Sequence, residues 1–181
     1  VKDMLDAVVA SEGEPDIVQI SGGEPTIHPQ FFDILDYAKT LPIRHIMINT
    51  NGSRIADDRG FADRLNDYMP GIEIYLQFDS FKPNVLKKLR GKDLSIKRQR
   101  ALEKLEKFNI HSTLVVTLER GQNDDEIGKI LDHKLSTNKV YLIELKDEGF
   151  SIVKSSNIPY NDIWVVPWRL KAVKSVWAMF S

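Results

Sequence analysis

Polar residues follow four apolar stretches of this sequence, at the points where each stretch ends. The four polar segments span residues 21–25, 49–52, 77–80 and 117–120. They combine adjacent glycines, carboxylates, amides and an arginine, which are groups suited to a small polar ligand. Because the carboxyl ends of parallel strands meet at one edge of a sheet, we expect these segments to lie together. Any one of them alone would be a common turn, and their order and spacing carry the prediction.

Strand and helix patterns alternate along most of the chain, about every 30 residues, as expected for right-handed βαβ units. The predicted strands are residues 16–21, 45–49, 72–79, 111–118 and 139–145. The predicted helices are residues 1–10, 29–41, 53–69, 94–108 and 124–135. The pattern therefore predicts an α/β protein with a parallel sheet.

The last part of the chain breaks this rhythm, and we divide the sequence into a core, residues 1–148, and a C-terminal extension of unclear origin, residues 149–181. The extension holds three tryptophans and several basic residues. Val173, Val176 and Trp177 share one face of a short helical pattern, which predicts a terminal helix packed on the sheet. A basic aromatic surface for a partner or membrane, or sequence not native to this fold, are the alternatives.

Composition excludes several classes of protein and site. The 181 residues carry a net charge of −1, which gives no global attraction to nucleic acid, so no nucleic-acid partner is expected. There is no cysteine, which excludes disulfides, thiolate zinc sites and cysteine-ligated clusters within this chain. His28 has no second ligand at metal spacing, so no metal is assigned. No apolar run reaches the roughly 20 residues of a spanning helix, so a cytoplasmic protein is expected.

Four segments together resemble the radical SAM (S-adenosylmethionine) enzymes. Residues 21–26 (SGGEPT), with His28-Pro29 downstream, resemble the GGE motif that follows the second strand of that family. Thr50-Asn51-Gly52 lies where many members carry a TNG turn, and residues 77–80 are similar to the fourth-strand end that faces the SAM ribose. Residues 119–126 resemble the subgroup related to molybdenum-cofactor protein A and the SPASM-related enzymes. Residues 76–79 with 89–94 look most like the tetraether-lipid synthase branch.

The resemblance implies a partial (β/α)6 barrel similar to a TIM barrel, with helices on the outer face of the sheet. Its first βα unit would be missing, which would leave the strand at residues 16–21 on an open edge. The resemblance also implies which residues bind SAM. The adjacent glycines and the glutamate would serve the methionyl end, the glutamine the ribose, and the arginine a carboxylate: Gly22, Gly23, Glu24, Asn51, Gln77 and Arg120.

The chemistry of the family implies a [4Fe–4S] cluster held by three cysteines, and reductive cleavage of SAM to a 5′-deoxyadenosyl radical that abstracts hydrogen. The loop that carries those cysteines would precede Val1, so the chain is interpreted as N-terminally truncated and inactive alone. Catalytic residues and oligomeric state are not assigned, and the substrate is expected to be a small molecule or a lipid. The alternative is a non-catalytic α/β domain that binds a nucleotide or phosphate at the same edge.

Overall fold

The computed structural model describes residues 1–119, 121–132, 138–146, 149–151 and 176–180. The helices are α1 Lys2–Glu12, α2 Phe31–Thr40, α3 Ser53–Asp57, α4 Phe61–Asn66, α5 Pro83–Arg90, α6 Ser95–Lys107 and α7 Ile127–Asp132. The strands are β1 Ile17–Gly22, β2 His45–Thr50, β3 Ile72–Gln77, β4 Ser112–Glu119, β5 Asn138–Lys146, β6 Gly149–Ser151 and β7 Val176–Phe180. Short 3-10 turns cover Pro25–Ile27 and Asp124–Glu126.

All of these strands belong to one sheet, in the order β6-β5-β4-β3-β2-β1-β7. Each neighbouring pair is parallel except β5 and β6, which are antiparallel. The register aligns Ile20 with Ile48, and Ile48 with Ile74, so the carboxyl ends of the first three strands lie level with one another. The predicted parallel α/β fold is confirmed.

The hydrophobic core lies between the helices and one face of the sheet. Alternate residues of β1, β2 and β3 are fully buried there, among them Ile20, Ile48 and Ile74. The helices meet them with apolar side chains such as Leu35 of α2 and Leu102 of α6. Successive side chains of a strand point to opposite faces, so the residues between the core positions lie on the other face. Those residues include the polar positions at which the strands end.

Two expectations about the ends of the chain are wrong. The first strand, β1, is not an edge strand, because β7 pairs with it in parallel register from Val18 to Gly22. Val176 and Trp177, predicted on a helix face, lie in β7 instead. β-Branched and aromatic residues favour strands, and the free N–H and C=O groups along β1 offer a ladder that a short helix would not satisfy. Both β6 and β7 come from residues 149–181, and the domain boundary after residue 148 stays a prediction.

Some element boundaries also differ from the prediction. The single helix expected over 53–69 is two helices, α3 and α4, separated by Asp58-Arg59-Gly60, where the Asp58 side chain accepts a hydrogen bond from the Gly60 N–H at 3.0 Å. Aspartate and glycine are weak helix formers, which explains the break. The expected helix 124–135 begins as a 3-10 turn, and residues 133–137 lie outside the described part. Helix α5 was not predicted.

Candidate functional site

The structure brings Glu24 and Asn51 together at the carboxyl ends of β1 and β2. The Glu24 Oε2 atom accepts a hydrogen bond from the Asn51 backbone N–H at 2.7 Å. The Asn51 side chain accepts from the Ser53 N–H at 2.8 Å, which satisfies one of the free donors at the start of α3. Gln77 is the last residue of β3, so it lies at the same edge of the sheet. These predicted site residues therefore share one edge.

The Glu24 carboxylate is held by four donors of the protein. Its Oε1 atom accepts from the Thr26 N–H at 3.2 Å, the Thr26 hydroxyl at 2.5 Å and the Thr50 hydroxyl at 2.6 Å. Its Oε2 atom accepts from the Asn51 N–H, as described above. A carboxylate has about four lone-pair sites, two on each oxygen, so Oε2 keeps room for one more donor. Glu24 thus joins two strand ends and still offers one acceptor site.

At two turns of this edge, the backbone conformation favours glycine. Gly22 has φ 152°, a region that residues with a side chain rarely adopt. Gly52 has φ 78°, and a Cβ atom there would lie 2.6 Å from Leu76 Cδ1. Gly23 differs, because a Cβ atom built there meets no described atom within 4 Å. Packing among the described residues therefore does not require glycine at 23, and they leave open space beside it.

Three polar side chains form a row across β1, β2 and β3, on the face opposite the helices. The Asn49 Nδ2 atom donates to the Ser21 hydroxyl oxygen at 3.5 Å, and the Gln77 Nε2 atom donates to Asn49 Oδ1 at 3.4 Å. All three side chains are partly exposed. We call Ser21, Asn49 and Gln77 the amide row. It connects Gln77 to the Gly22–Glu24 segment.

Asp79 is a fully buried carboxylate just beyond β3, with φ 55°. Arg90 binds it through two hydrogen bonds, at 2.8 and 3.0 Å, and Arg98 binds it at 3.2 Å. The Thr117 N–H donates to it at 2.9 Å. Burial raises the pKa of this carboxyl, but the Arg90 hydrogen bonds and the charges of both arginines outweigh burial and hold its pKa below the usual value. Asp79 is therefore ionised at neutral pH.

The same cluster joins β3 to β4. Arg98 is buried and donates to the Phe78 carbonyl at 2.9 Å, and burial lowers its pKa. The Asn123 side chain donates to the carbonyls of Asp79 and Thr117, both at 2.8 Å. Arg90 also donates to the Thr117 hydroxyl at 3.1 Å. A buried, hydrogen-bonded ion pair fixes geometry, so this cluster sets the spacing of the two strand ends. Among the described residues, the Arg98 Nε atom has no hydrogen-bond partner.

Sequence reasoning assigned no individual role to several residues of this edge, although it placed the segments that contain Asn49, Thr50 and Thr117 there. Arg120 lies outside the described residues. The residues without an assigned role are the hydrogen-bond partners of Glu24 and Asp79, and the central residue of the amide row. They are Thr26, Thr50, Arg90, Arg98, Thr117, Asn123 and Asn49. Strand parity was a usable signal for Asn49 alone, since it is the last residue of β2 on the face opposite the core.

Other features of the described residues lie away from this edge. A cavity of about 410 Å³ lies between the β3–α5 loop and α6, and its lining includes Phe78, Phe81 and Ile96 but none of the predicted site residues. Within the described ranges, no three His, Asp or Glu side chains gather as a metal site would require. In the same ranges, no helix has the length and apolar character needed to cross a bilayer.

Known proteins resemble this chain over most of its length. A 7,8-dihydro-6-hydroxymethylpterin dimethyltransferase of Methanocaldococcus jannaschii is 32% identical over 116 residues, 63% of this chain and 22% of the relative. A GTP 3′,8-cyclase of Actinobacillus succinogenes is 26% identical over 134 residues, 70% of this chain and 38% of the relative. The solved structure of native anSMEcpe with bound AdoMet matches with TM-score 0.58 and 19% identity, over 79% of this chain and 41% of that chain.

The chain spans well under half the length of these relatives. The structural likeness establishes the same fold, and the sequence likeness extends to enzymes. The family model of the radical SAM superfamily matches residues 1–133, which is most of the chain. The resemblance of the four strand-end segments is thereby confirmed, whereas the tetraether-lipid branch stays a prediction. This protein belongs to the radical SAM superfamily.

Proposed function

We propose that the edge formed by β1 to β4 binds SAM, and that the whole protein is a radical SAM enzyme. The methionyl end of SAM lies beside Gly22, Gly23 and Glu24, and the ribose lies beside Gln77. The observation that carries this proposal is that Glu24, Asn51 and Gln77 share one edge of a parallel sheet. In open parallel sheets and in barrels, ligands bind at the carboxyl ends of the strands.

The chemistry of SAM fits the groups at this edge. SAM carries an ammonium and a carboxylate at its methionyl end, then a ribose diol and an adenine. The open space beside Gly23 lets backbone groups approach the methionyl end, and the free lone pair of Glu24 Oε2 can accept from the ammonium. Asn51 contributes its backbone to the same corner. Arg120, next in sequence after β4, remains our proposal for a carboxylate partner.

The [4Fe–4S] cluster that the family uses does not fit the residues of this chain. Such clusters are held by cysteine thiolates, and the sequence has no cysteine. We therefore propose that this chain contributes SAM-binding residues and does not cleave SAM by itself. Radical chemistry in the whole protein requires cluster ligands supplied outside these 181 residues.

The substrate class is also a proposal. The relatives are named for a pterin and for GTP, which are small molecules. We propose a small-molecule substrate on that basis, and the lipid suggested by the branch resemblance is the alternative. A cytoplasmic location and the lack of a nucleic-acid partner stay predictions from the sequence.

A titration followed by ¹H–¹⁵N NMR tests the proposed SAM site. Addition of SAM should shift the backbone amide signals of Gly22, Gly23, Asn51 and Gln77, and leave those of α5 and β4's first residues in place. If GTP or inorganic phosphate shifts the same amides and SAM does not, the alternative of a nucleotide- or phosphate-binding domain is correct. A cysteine motif of the form CxxxCxxC encoded upstream of Val1 would support the enzyme; an in-frame start without one would contradict it.

A further inference from the structure

The cavity of about 410 Å³ beside α6 has two apolar rings on one side and one face of a helix on the other. The Phe78 and Phe81 rings meet edge to face, with their centroids 4.9 Å apart. The helix side is lined by Ile96, Gln99, Arg100 and Glu103. Residues three, four and seven positions apart share one face of a helix, so these side chains form a continuous wall. We call this cavity and its lining the α6 pocket.

The loop side of the α6 pocket is held in place by the buried Glu126. Its carboxylate accepts hydrogen bonds from the Ser80 hydroxyl and from the Phe81 N–H, the latter at 3.2 Å. The Lys129 ammonium lies 4.7 Å from the centre of the Phe81 ring. Because these contacts order the loop beforehand, a partner that binds there loses less free energy to ordering.

Ile96 supplies exposed apolar surface at the rim of the α6 pocket. It is 65% exposed, whereas Leu102 and Leu105, further along the same helix, are buried in the core. A single exposed isoleucine is ordinary on a protein surface. Here it adjoins a cavity that also contains two phenyl rings, so one large apolar side chain of a partner would bury all three surfaces together. Such an anchor in a pocket is the usual centre of a protein–protein contact.

The chain is strongly basic around this pocket, although it is nearly neutral as a whole. Residues 82–107, which include α5 and α6, contain ten Lys and Arg and three Asp and Glu. Their net charge is +7, so the rest of the chain, whose total is −1, carries −8. Carboxylates outside this stretch pair with five of its cations: Lys82, Lys88, Arg90, Lys97 and Arg98. Within the described part of the chain, Lys87, Lys92 and Arg100 have no such partner.

The charges at the pocket itself also favour an acidic partner. Arg100 and Lys129 are cations there, and Glu103, which accepts from Gln99 at 3.3 Å, is the acidic group among the lining residues. Residues 152–175 of the same chain contain four Lys and Arg and one Asp, so their charge has the wrong sign for this surface.

We propose that the α6 pocket is a docking site for an acidic segment of a partner protein. The segment inserts one large apolar side chain beside Phe81 and Ile96 and places carboxylates near Arg100. This site is separate from the proposed SAM site, because none of the predicted SAM-binding residues lines it.

Two other polyanionic partners fit the surface less well. Single-stranded nucleic acid binds by stacking bases on exposed aromatic rings, but Phe78 is buried and Lys129 lies over Phe81. An anionic membrane requires a helix with an exposed apolar stripe, and Ile96 is the one strongly exposed large apolar side chain of α5 and α6.

The test is a ¹H–¹⁵N NMR titration of the chain with two capped peptides. The first has the sequence Glu-Glu-Leu-Phe-Glu-Glu, and the second has serine in place of Leu-Phe. The first peptide should shift the amide signals of α6 between Ser95 and Glu103 in a saturable manner, and the second should bind at least about 10-fold more weakly. Binding of the first peptide should weaken as NaCl is raised from about 50 to 500 mM.

Matched variants test the two kinds of contact. Ile96→Ser should weaken binding of the first peptide about 10-fold, whereas Ile27→Ser, at an isoleucine that is 66% exposed after β1, should not. Arg100→Gln should weaken it about 2- to 5-fold, and Arg59→Gln, at an exposed position between α3 and α4, is the control. All four positions are exposed, so urea denaturation should show unchanged stability.

Three results would overturn the proposal. Equal binding of the two peptides would show that the surface attracts any polyanion and has no apolar anchor site. Shifts of the same α6 signals by oligouridylate or by phosphatidylserine vesicles, without shifts by the first peptide, would assign the surface to RNA or to a membrane. Absence of shifts with every probe would show that the pocket is not a docking site. The amides of Gly22, Gly23 and Asn51 report on SAM separately, so none of these results bears on the proposed function.

Discussion

The Glu24 carboxylate is a brace between two strand ends, because it accepts hydrogen bonds from both of them. Its carboxylate joins Thr26, after β1, to Thr50 and Asn51, at the end of β2. Glu24 lies two positions from Thr26 in sequence, but 26 and 27 positions from Thr50 and Asn51, so the contacts with β2 depend on the sheet register. Three bonds fall on Oε1 and one on Oε2. A substitution that replaces one of the two carboxylate oxygens therefore tests whether these bonds hold the strand ends together.

Replacing Glu24 with glutamine should weaken the strand-end turn. The amide of Gln offers one oxygen, and its NH₂ group would face either the Asn51 N–H or the threonine donors. Leaving a buried or half-buried donor unsatisfied costs about 1–3 kcal/mol, so Glu24→Gln should lower the free energy of unfolding by that amount. Urea denaturation measures it, and hydrogen exchange at the Asn51 amide should quicken. Glu106→Gln, at an exposed position of α6, should change stability by less than about 0.5 kcal/mol. Equal free energies of unfolding for the two variants would contradict the proposed role of Glu24 in holding the strand ends together.

Asp79 allows a prediction about acid stability. Its pKa is lower in the folded chain than in the unfolded chain, because the arginine contacts outweigh burial. It therefore stabilises the fold above the unfolded pKa of about 3.9, and this stabilisation is lost as pH falls through the lower folded pKa. Asp79→Asn should unfold more easily at pH 7, by about 3–5 kcal/mol, because it leaves two arginines without their partner.

The same variant should show a flatter dependence of stability on pH below about 4. Denaturant titrations of the free energy of unfolding between pH 3 and pH 7 would measure both effects. Asp67→Asn, at an exposed position after α4, is the control and should keep the dependence of the unmodified chain. An Asp79→Asn curve parallel to the control would refute the role of the carboxylate.

At the scale of elements, the turn between β2 and α3 is fixed by sterics. Gly52 has φ 78° and ψ −1°, and a Cβ atom there would lie 2.6 Å from Leu76 Cδ1 and 3.1 Å from Ala101 Cβ. Gly91, after α5, has nearly the same backbone, φ 73° and ψ −6°, with no described atom within 4 Å of a Cβ. The two glycines therefore differ in crowding and hardly at all in conformation.

This pair predicts the cost of crowding. Gly91→Ala should lose about 1–2 kcal/mol, the cost of a left-handed residue with a side chain. Gly52→Ala should lose that amount and a further 1–3 kcal/mol or so, because its methyl group must displace Leu76. Thermal or urea unfolding of both variants measures the difference. Equal losses would show that the β2–α3 turn relaxes without cost.

The sequence predicted the elements whose pattern is local. Apolar alternation located β1 to β5, since residues such as Ile72, Ile74 and Leu76 mark one buried face. Helix α5 was missed because its few apolar residues, such as Val85 and Leu86, are surrounded by lysines and span two turns. Strand β7 was misjudged because its partner, β1, is 158 residues away along the chain, as the pairing of Val18 with Val176 shows. Pairing over such a distance leaves no local signal.

The candidate site likewise has a part that the sequence predicts and a part that depends on the fold. Glycines and polar residues after strands are visible in sequence, so the edge itself could be predicted. The partners of Glu24 and Asp79 could not, because Thr50, Arg98 and Thr117 meet them only through the register of neighbouring strands. The sequence shows which polar groups are present, whereas the strand register determines which of them hold neighbouring strand ends together.

At the scale of the whole molecule, the two faces of the sheet differ in the side chains that they carry. Its helix face holds the apolar core. Its other face carries mostly polar side chains, with Ile17, Met47 and Val115 as apolar exceptions. Besides the amide row, that face carries His45 beside Glu73, with 3.1 Å between their side chains, and Thr113 donates to the same carboxylate. This second group lies at the start of the strands, at the end of the sheet opposite their carboxyl ends, and in barrel folds that end serves stability. The SAM site that we propose therefore lies at the opposite end of the sheet from this group.

This arrangement predicts weak binding of SAM and no cleavage by the chain alone. Without cluster ligands, SAM is held by a few hydrogen bonds, each worth about 0.5–1.5 kcal/mol net, against an association cost of at least about 4 kcal/mol. Burial of the adenine adds to the balance, so we expect a Kd near the millimolar range. Calorimetry or an NMR titration measures the affinity, and chromatography after anaerobic incubation with dithionite detects 5′-deoxyadenosine. A micromolar Kd would show that the sheet edge alone anchors SAM. Formation of 5′-deoxyadenosine above the protein-free background would overturn the proposal, because this cysteine-free chain has no thiolate to hold the cluster that donates the electron.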